Sequence, residues 1–335
     1  MDDRQRSNLA AWLKQSSGTS TFDLVEVRLL SGGAIQQNWQ LDVRTDGVAQ
    51  SWVLRMDAPA TLPGISHPRD QEFALLRTAH GAGVTVPEPL FLCADPTLLG
   101  SPFFVMRKAD GIAAGHRVVR SDTLGGGREA LAASLGRELA RIHAIRPPCA
   151  ELAFLGDPPA DPCTGFVATM QAQLDAGRLP RPMLEWGLRH LERDAAPPAD
   201  IVLCHNDFRT GNYMVTEAGI TAVLDWEFAG WGDPHADIGW LCARCWRFGA
   251  EGEVGGIAPR RPFVLAYEQA AGRSIDPDRV RWWELAAHIR WAAIAIAQAE
   301  RHVSGREPSL ELALTGHIVP ELELEVMRMT TGGQP

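Results

Sequence analysis

The chain has 335 residues, an apolar fraction of 45% and a formal net charge of −9. That length buries a full core and leaves room for two lobes, while the acidic balance removes nucleic acid as a default partner, because phosphate binding needs a basic face. The most apolar helical run, Trp291 to Ala297, is far too short to span a bilayer.

The first residues, MDDRQRSNLA, contain no apolar core and read as no signal peptide, so a soluble cytoplasmic protein is expected, away from membranes. Six cysteines are scattered, and the one C-x-x-C, Cys242 to Cys245, has no second pair at ligand spacing. Buried reduced thiols are the expectation. Only two lysines occur, Lys14 and Lys108.

Ser7 to Ser16 predicts a short helix, and Phe22 to Leu30 alternates as a strand. Ser31-Gly32-Gly33 opens a glycine-rich turn into a second strand, Trp39 to Arg44. Backbone N–H groups in such a turn can approach phosphates with no side chain in the way, although two glycines between strands also make a plain hairpin turn. Ser51 to Met56 is a third strand and carries Arg55. After a Pro/Gly-rich loop, Arg69 to His80 predicts a helix with Phe73, Leu75 and Leu76 on its apolar stripe and Glu72 near its start. Leu90 to Ala94 and Pro102 to Met106 form a hairpin, its second strand apolar throughout.

Residues 111–127 read as a glycine-rich loop, Glu129 to Ile145 as an amphipathic helix, and Arg146 to Cys163 as a proline-rich loop. Helices come next at Phe166 to Ala176 and Pro182 to Asp194. They lead into HNDFRTGN, which places His205, Asp207 and Asn212 in one turn-rich run, with Arg209 read as exposed. YMV and ITAVL flank Glu217-Ala218-Gly219 as a hairpin with a three-residue turn, and Asp225 comes directly after. Carboxylate and amide oxygens so arranged suit magnesium, which takes one or two carboxylates plus substrate phosphates. Further helices are expected at Ile238 to Phe248, Phe263 to Ala271, Arg279 to Val303 and Leu310 to Met327, the last bent or broken at Pro320.

The H-x-D-x-x-x-x-N run, hairpin and metal Asp are similar to the catalytic loop of protein-kinase-like enzymes. With Asp225-Trp226-Glu227 and Gly232-Asp233-Pro234-His235-Ala236-Asp237, the chain more closely resembles the aminoglycoside phosphotransferase family, small-molecule kinases for antibiotics, choline, homoserine and related alcohols. The resemblance implies an α+β, bilobal protein-kinase-like fold: an antiparallel sheet plus helix over 1–106 and a larger, mainly helical lobe over 107–335. It implies ATP, or GTP, with Mg2+, and a small-molecule hydroxyl as acceptor. Asp207 becomes the catalytic base, with Asn212 and Asp225 the metal ligands. Ser31, Gly32, Gly33, Arg55, Glu72 and, at the lobe connector, Met106 and Lys108 become the nucleotide site. His205, Arg209, Glu227 and Asp237 support it. Arg55 stands where the family has Lys, and the implied partner of this cation is Glu72. Within the family the RTGN and D-W-E-F/G-D-P runs look most like kinase portions fused to acyl-CoA dehydrogenases, which implies a hydroxyacyl thioester or another neutral or anionic alcohol. An aminoglycoside, to which Glu321, Glu323 and Glu325 would offer carboxylates, is the competing acceptor. A catalytically silent nucleotide-binding protein is the alternative of another class.

Overall fold

The structure, a computed structural model, describes residues 1–30, 36–57, 66–177, 179–195 and 200–332. The glycine-rich Ser31, Gly32 and Gly33 lie outside the described residues. Helix α1 (Asp3–Ser17) starts earlier than its apolar spacing predicts, because Asp2 and Gln5 form a reciprocal capping box. Strands β1 (Phe22–Leu29), β2 (Gln36–Thr45) and β3 (Val48–Asp57) come after it. Helix α2 (Arg69–Gly81) then leads to β4 (Pro89–Cys93) and β5 (Phe103–Arg107). The five strands make one antiparallel sheet in the order β1-β2-β3-β5-β4. Leu9 and Leu13 of α1 pack on Leu41, Trp52, Leu54 and Phe103 as a local core. By contrast, Phe73, Leu75 and Leu76 of α2 join Phe104 in the core of the helical part. Helix α2 therefore couples the sheet to the helices.

Past the sheet the chain is mainly helical: α3 (Gly115–Val118), α4 (Arg128–Ile142), α5 (Pro162–Asp175) and α6 (Pro182–Arg193). The loops expected over 111–127 and 146–163 contain α3 and short 3-10 turns at Leu124–Gly126 and Ala150–Leu155. A small β unit comes next. Strand β6 (Val202–Cys204) pairs with β9 (Gly230–Gly232), and between them β7 (Tyr213–Thr216) pairs with β8 (Gly219–Val223). The β7–β8 turn is two residues, Glu217-Ala218, not three, because Gly219 already pairs with Thr216.

Helix α7 (Pro234–Cys242) is capped by Asp233, which accepts from the His235 N–H at 3.0 Å. It ends sooner than expected: Ala243 is extended, and the guanidinium of Arg247 takes the Cys242 carbonyl (Nη2–O 2.9 Å), leaving only a 3-10 turn at Arg244–Trp246. Helices α8 (Arg260–Ala271) and α9 (Pro277–Val303) come after this turn. At Gly239 a Cβ would stand 2.6 Å from the Cβ of Trp283, so this glycine lets α7 cross α9 closely. The expected terminal helix is two, α10 (Leu310–Gly316) and α11 (Val319–Thr330), with Pro320 in the first turn of the second, where its missing N–H removes no intrahelical bond. Among the described residues no helix is long and apolar enough to cross a membrane.

Candidate active site

Three loops converge between the sheet and the helices. One is the β6–β7 loop with His205 to Asn212, another the β8–β9 loop with Asp225 to Glu227, and the third the end of β3 with Arg55. The first two are joined by backbone, Leu224 N–H donating to Asn212 O at 2.8 Å.

Arg55 is buried and joins the sheet to α2 and to the β8–β9 loop. Its Nε lies 2.9 Å from Glu72 on α2, and its Nη1 lies 3.0 Å from Asp225. The pairing with Glu72 implied by the resemblance is present. Burial works against the charge of Arg55, but Glu72, Asp225 and Glu227 outweigh it and raise its pKa. Its Nη2 is buried and has no hydrogen-bond partner among the described residues. Sequence reasoning missed Arg69, also buried, which shares Glu72 and lies 3.1 Å from Asp57. It missed Gln36 as well, whose amide donates to Glu227 across the two parts of the molecule. Burial pushes the Glu227 carboxyl up to about 7; the nearby Glu72 and Asp225 add to this, against the pull of Arg55 and Arg69.

Asp225 sits at φ +60 and Asn206 at φ +62, left-handed conformations that Asp and Asn tolerate better than other side chains. The indole of Trp226 packs on the His205 ring (centroids 4.8 Å) and donates to Val223 O, which anchors the β8–β9 loop beneath Asp225.

Asp207 is held on both oxygens. Trp240 Nε1 donates to Oδ1 at 2.8 Å and Arg209 Nε at 3.1 Å, while Asn212 Nδ2 donates to Oδ2 at 2.5 Å. Because the Asn212 amide nitrogen faces Asp207, its Oδ1 is the atom left to ligate a cation. Arg209, expected exposed, is instead half-buried, with its guanidinium 4.4 Å from the centre of the Trp246 ring. His205 is fully buried and structural. Its Nδ1 accepts from the Asp207 N–H (3.3 Å), so Nε2 carries the proton and donates to Leu224 O (2.8 Å).

Asp237 lies beneath this loop, fully buried. Its oxygens accept the N–H groups of His205 (2.7 Å) and Asn206 (2.8 Å), and His143 Nε2 at 3.2 Å. Burial alone would raise its pKa, but these bonds hold the carboxyl below its usual range. Burial lowers the His143 pKa; its Nδ1 meets Tyr267 OH at 2.8 Å, which accepts from Arg273 Nη2 at 2.8 Å. His143, Cys204 and Asp237 cluster closely enough to suggest a cation site. However, both Asp237 oxygens are engaged and the Cys204 thiol donates to Asp233 O, so the cluster is a hydrogen-bonded core. Asp233 ties α7 to α9 through Arg279 Nε (2.5 Å) and Trp283 Nε1 (2.8 Å).

Met106 lies within β5, paired with Val53, and Lys108 is the first residue after the strand. The Lys108 N–H donates to Ser51 O and its charge acts on Asp42. Ser51 is four residues before Arg55, about 13 Å along a strand, which sets the Lys108 backbone that far along the sheet from Arg55.

A model of the phosphotransferase enzyme family matches residues 26–283. Acyl-CoA dehydrogenase family member 10 of Mus musculus is 31% identical over 57% of this chain, which spans 18% of that relative. The chain overlays a Ralstonia eutropha protein assigned as an aminoglycoside phosphotransferase with TM-score 0.76 at 23% identity, covering 98% of this chain and 99% of that one. It overlays spectinomycin phosphotransferase, solved with ADP and spectinomycin, with TM-score 0.62 at 14% identity, covering 96% and 98%. These overlays establish a kinase-like fold.

Proposed function

The chain belongs to the phosphotransferase enzyme family, and from that premise we propose that it transfers the γ-phosphoryl group of ATP, or GTP, with Mg2+, to a hydroxyl of a small molecule. The observation that carries this reading is Arg55. One buried guanidinium joins Glu72 to Asp225 and keeps an N–H that has no partner among the described residues and could meet a phosphate oxygen. Arg presents a fixed fork to phosphate, so the role of the usual Lys is retained.

Asp225 and Asn212 Oδ1 are the oxygen donors that fit magnesium, which when bound neutralises the charge on the phosphate oxygens. Asp207 orients the acceptor hydroxyl and takes its proton as the new O–P bond forms. Ser31, Gly32 and Gly33, outside the described residues, are the proposed phosphate contacts, and backbone groups near Met106 and Lys108 meet the base. Glu72 holds Arg55 in place, Arg209 faces the transferred group or an anionic acceptor, and His205, Glu227 and Asp237 hold the loops.

The acceptor is a hydroxyacyl thioester-like or other neutral or anionic alcohol. Glu323 lies 3.8 Å from Arg181, and Glu325 lies 2.6 Å from Arg328 and 3.6 Å from Arg244. Two of the three carboxylates an aminoglycoside would need are thus already matched by arginines. The test is ADP release from ATP and magnesium across aminoglycosides, macrolides, choline, homoserine, sugars and hydroxyacyl-CoA esters, with Asp207→Ala as the blank. Stimulation by a neutral or anionic alcohol, lost in the blank, is expected. Stimulation by aminoglycosides alone would reverse the acceptor assignment, and nucleotide binding with no stimulated turnover would favour a silent binder.

A further inference from the structure

We propose that Trp240 is a positioning residue for the base: its indole N–H fills the Oδ1 side of Asp207 and leaves Oδ2 as the oxygen that receives the acceptor's proton. This rests on the proposed phosphoryl transfer.

A carboxylate oxygen offers two lone-pair sites. Oδ1 receives two donors, Trp240 Nε1 at 2.8 Å and Arg209 Nε at 3.1 Å. Oδ2 receives one, Asn212 Nδ2. Among the described residues one lone pair therefore remains on the carboxylate, and it is on Oδ2. The acceptor O–H proton moves to this oxygen, the acceptor oxygen forms its bond to the γ-phosphorus, and the bond from that phosphorus to the bridging oxygen breaks with release of the nucleoside diphosphate.

Trp240 is built to hold that geometry. It is buried at 4% exposure. One side of its ring carries the Arg290 guanidinium at 4.6 Å, and the Trp246 ring lies 5.1 Å away. Arg290 also donates to Asn206 O at 2.8 Å, inside the same loop. Trp246 in turn supports Arg209, so Asp207, Trp240, Trp246 and Arg209 form a closed ring of contacts. Asp237 lies one turn before Trp240 on α7, so one helix grips the loop backbone with a carboxylate and the reacting carboxylate with an indole. A plain aromatic core residue would show the ring packing without the 2.8 Å bond to the base.

Trp240→Phe keeps the ring and removes the donor. The expected result is a fall in kcat of about 10- to 100-fold with nucleotide and acceptor KM changed by less than about twofold, because a freed carboxylate misplaces the proton acceptor without removing a substrate contact. Trp282→Phe is the control. It also loses a buried indole bond, to Leu191 O at 3.0 Å, in a core cluster separate from that of Trp240, and should lower Tm similarly while kcat holds. In the ¹⁵N spectrum the Trp240 indole N–H should be protected from exchange in the unaltered protein and lose that protection in Asp207→Ala. Unchanged kcat in Trp240→Phe, equal kcat losses in both Trp variants, or an indole signal indifferent to Asp207→Ala would each overturn the positioning role. Absence of transfer in the unaltered protein would instead overturn the reaction itself.

Discussion

Around Asp237 the polar atoms are matched: two backbone N–H groups and an imidazole on the carboxylate, a tyrosine and an arginine behind the imidazole. Around Arg55 the network is left open. A guanidinium N–H has no partner among the described residues, the Asp225 side chain is 38% exposed, and the Glu227 carboxyl is pushed up to about 7. Both clusters are networks built on carboxylates, one under the β6–β7 loop and one against the β8–β9 loop. A closed network has no capacity left for a ligand and serves as scaffold. An open one stores unmet charge that a phosphate and a cation would satisfy. The comparison separates architecture from chemistry among residues that a motif places side by side.

Substitutions can break it in opposite ways. Asp207→Ala should cut turnover by about 1,000-fold, within the range for losing a general base, while nucleotide binding by calorimetry persists. Asp237→Ala should do the reverse, costing about 3 kcal/mol in urea unfolding, since two backbone N–H groups and His143 lose their acceptor in the core. If Asp237→Ala left stability intact but removed turnover, the scaffold assignment would be wrong. Arg55→Lys should sharpen the open side. A single ammonium cannot span Glu72 and Asp225 and also reach phosphate as a fork does, so nucleotide KM should rise by about 10-fold with little change in kcat. An unchanged KM would show that the unpartnered Nη2 meets no phosphate.

Much of this was legible in the sequence, for a physical reason. His205, Asp207, Asn212, Asp225 and Asp237 lie within one short stretch, and a hairpin with a tight turn folds that stretch back on itself. The sheet and long helices were legible from alternation and the 3.6-residue stripe. What escaped were contacts made at long range. Gln36 meets Glu227 and Arg69 meets Asp57 only once separate elements dock, and no local pattern encodes docking. Arg209 reads as exposed because Trp246 is distant in sequence. Strands β6 and β9 have three residues each, too few for a periodicity to register. The early end of α7 depends on Arg247 capturing a carbonyl, a competition that helix propensity does not contain.

Glu227 gives the smallest effect and the most direct reading of the open cluster. Its folded pKa of about 7 lies above the 4.5 of an unperturbed glutamate. Between these values the folded state holds a proton that the unfolded state has lost, so stability falls as pH rises through the window. The contribution is complete below about 4.5 and gone above about 7. Asp237 has the opposite sign, its depressed pKa making stability fall as pH drops. Glu227→Gln keeps the shape and a group that still meets Gln36, but cannot ionise. It should therefore remove a slope on the order of 1 kcal/mol between about pH 5.5 and 7.5 from the urea-unfolding profile, making the variant the more stable protein at the upper end of that range. Saturating nucleotide and magnesium should shrink the difference, because added cations favour the ionised Glu227. A slope that survives in Glu227→Gln would place the titrating group elsewhere and leave the cluster around Arg55 as closed as the one around Asp237.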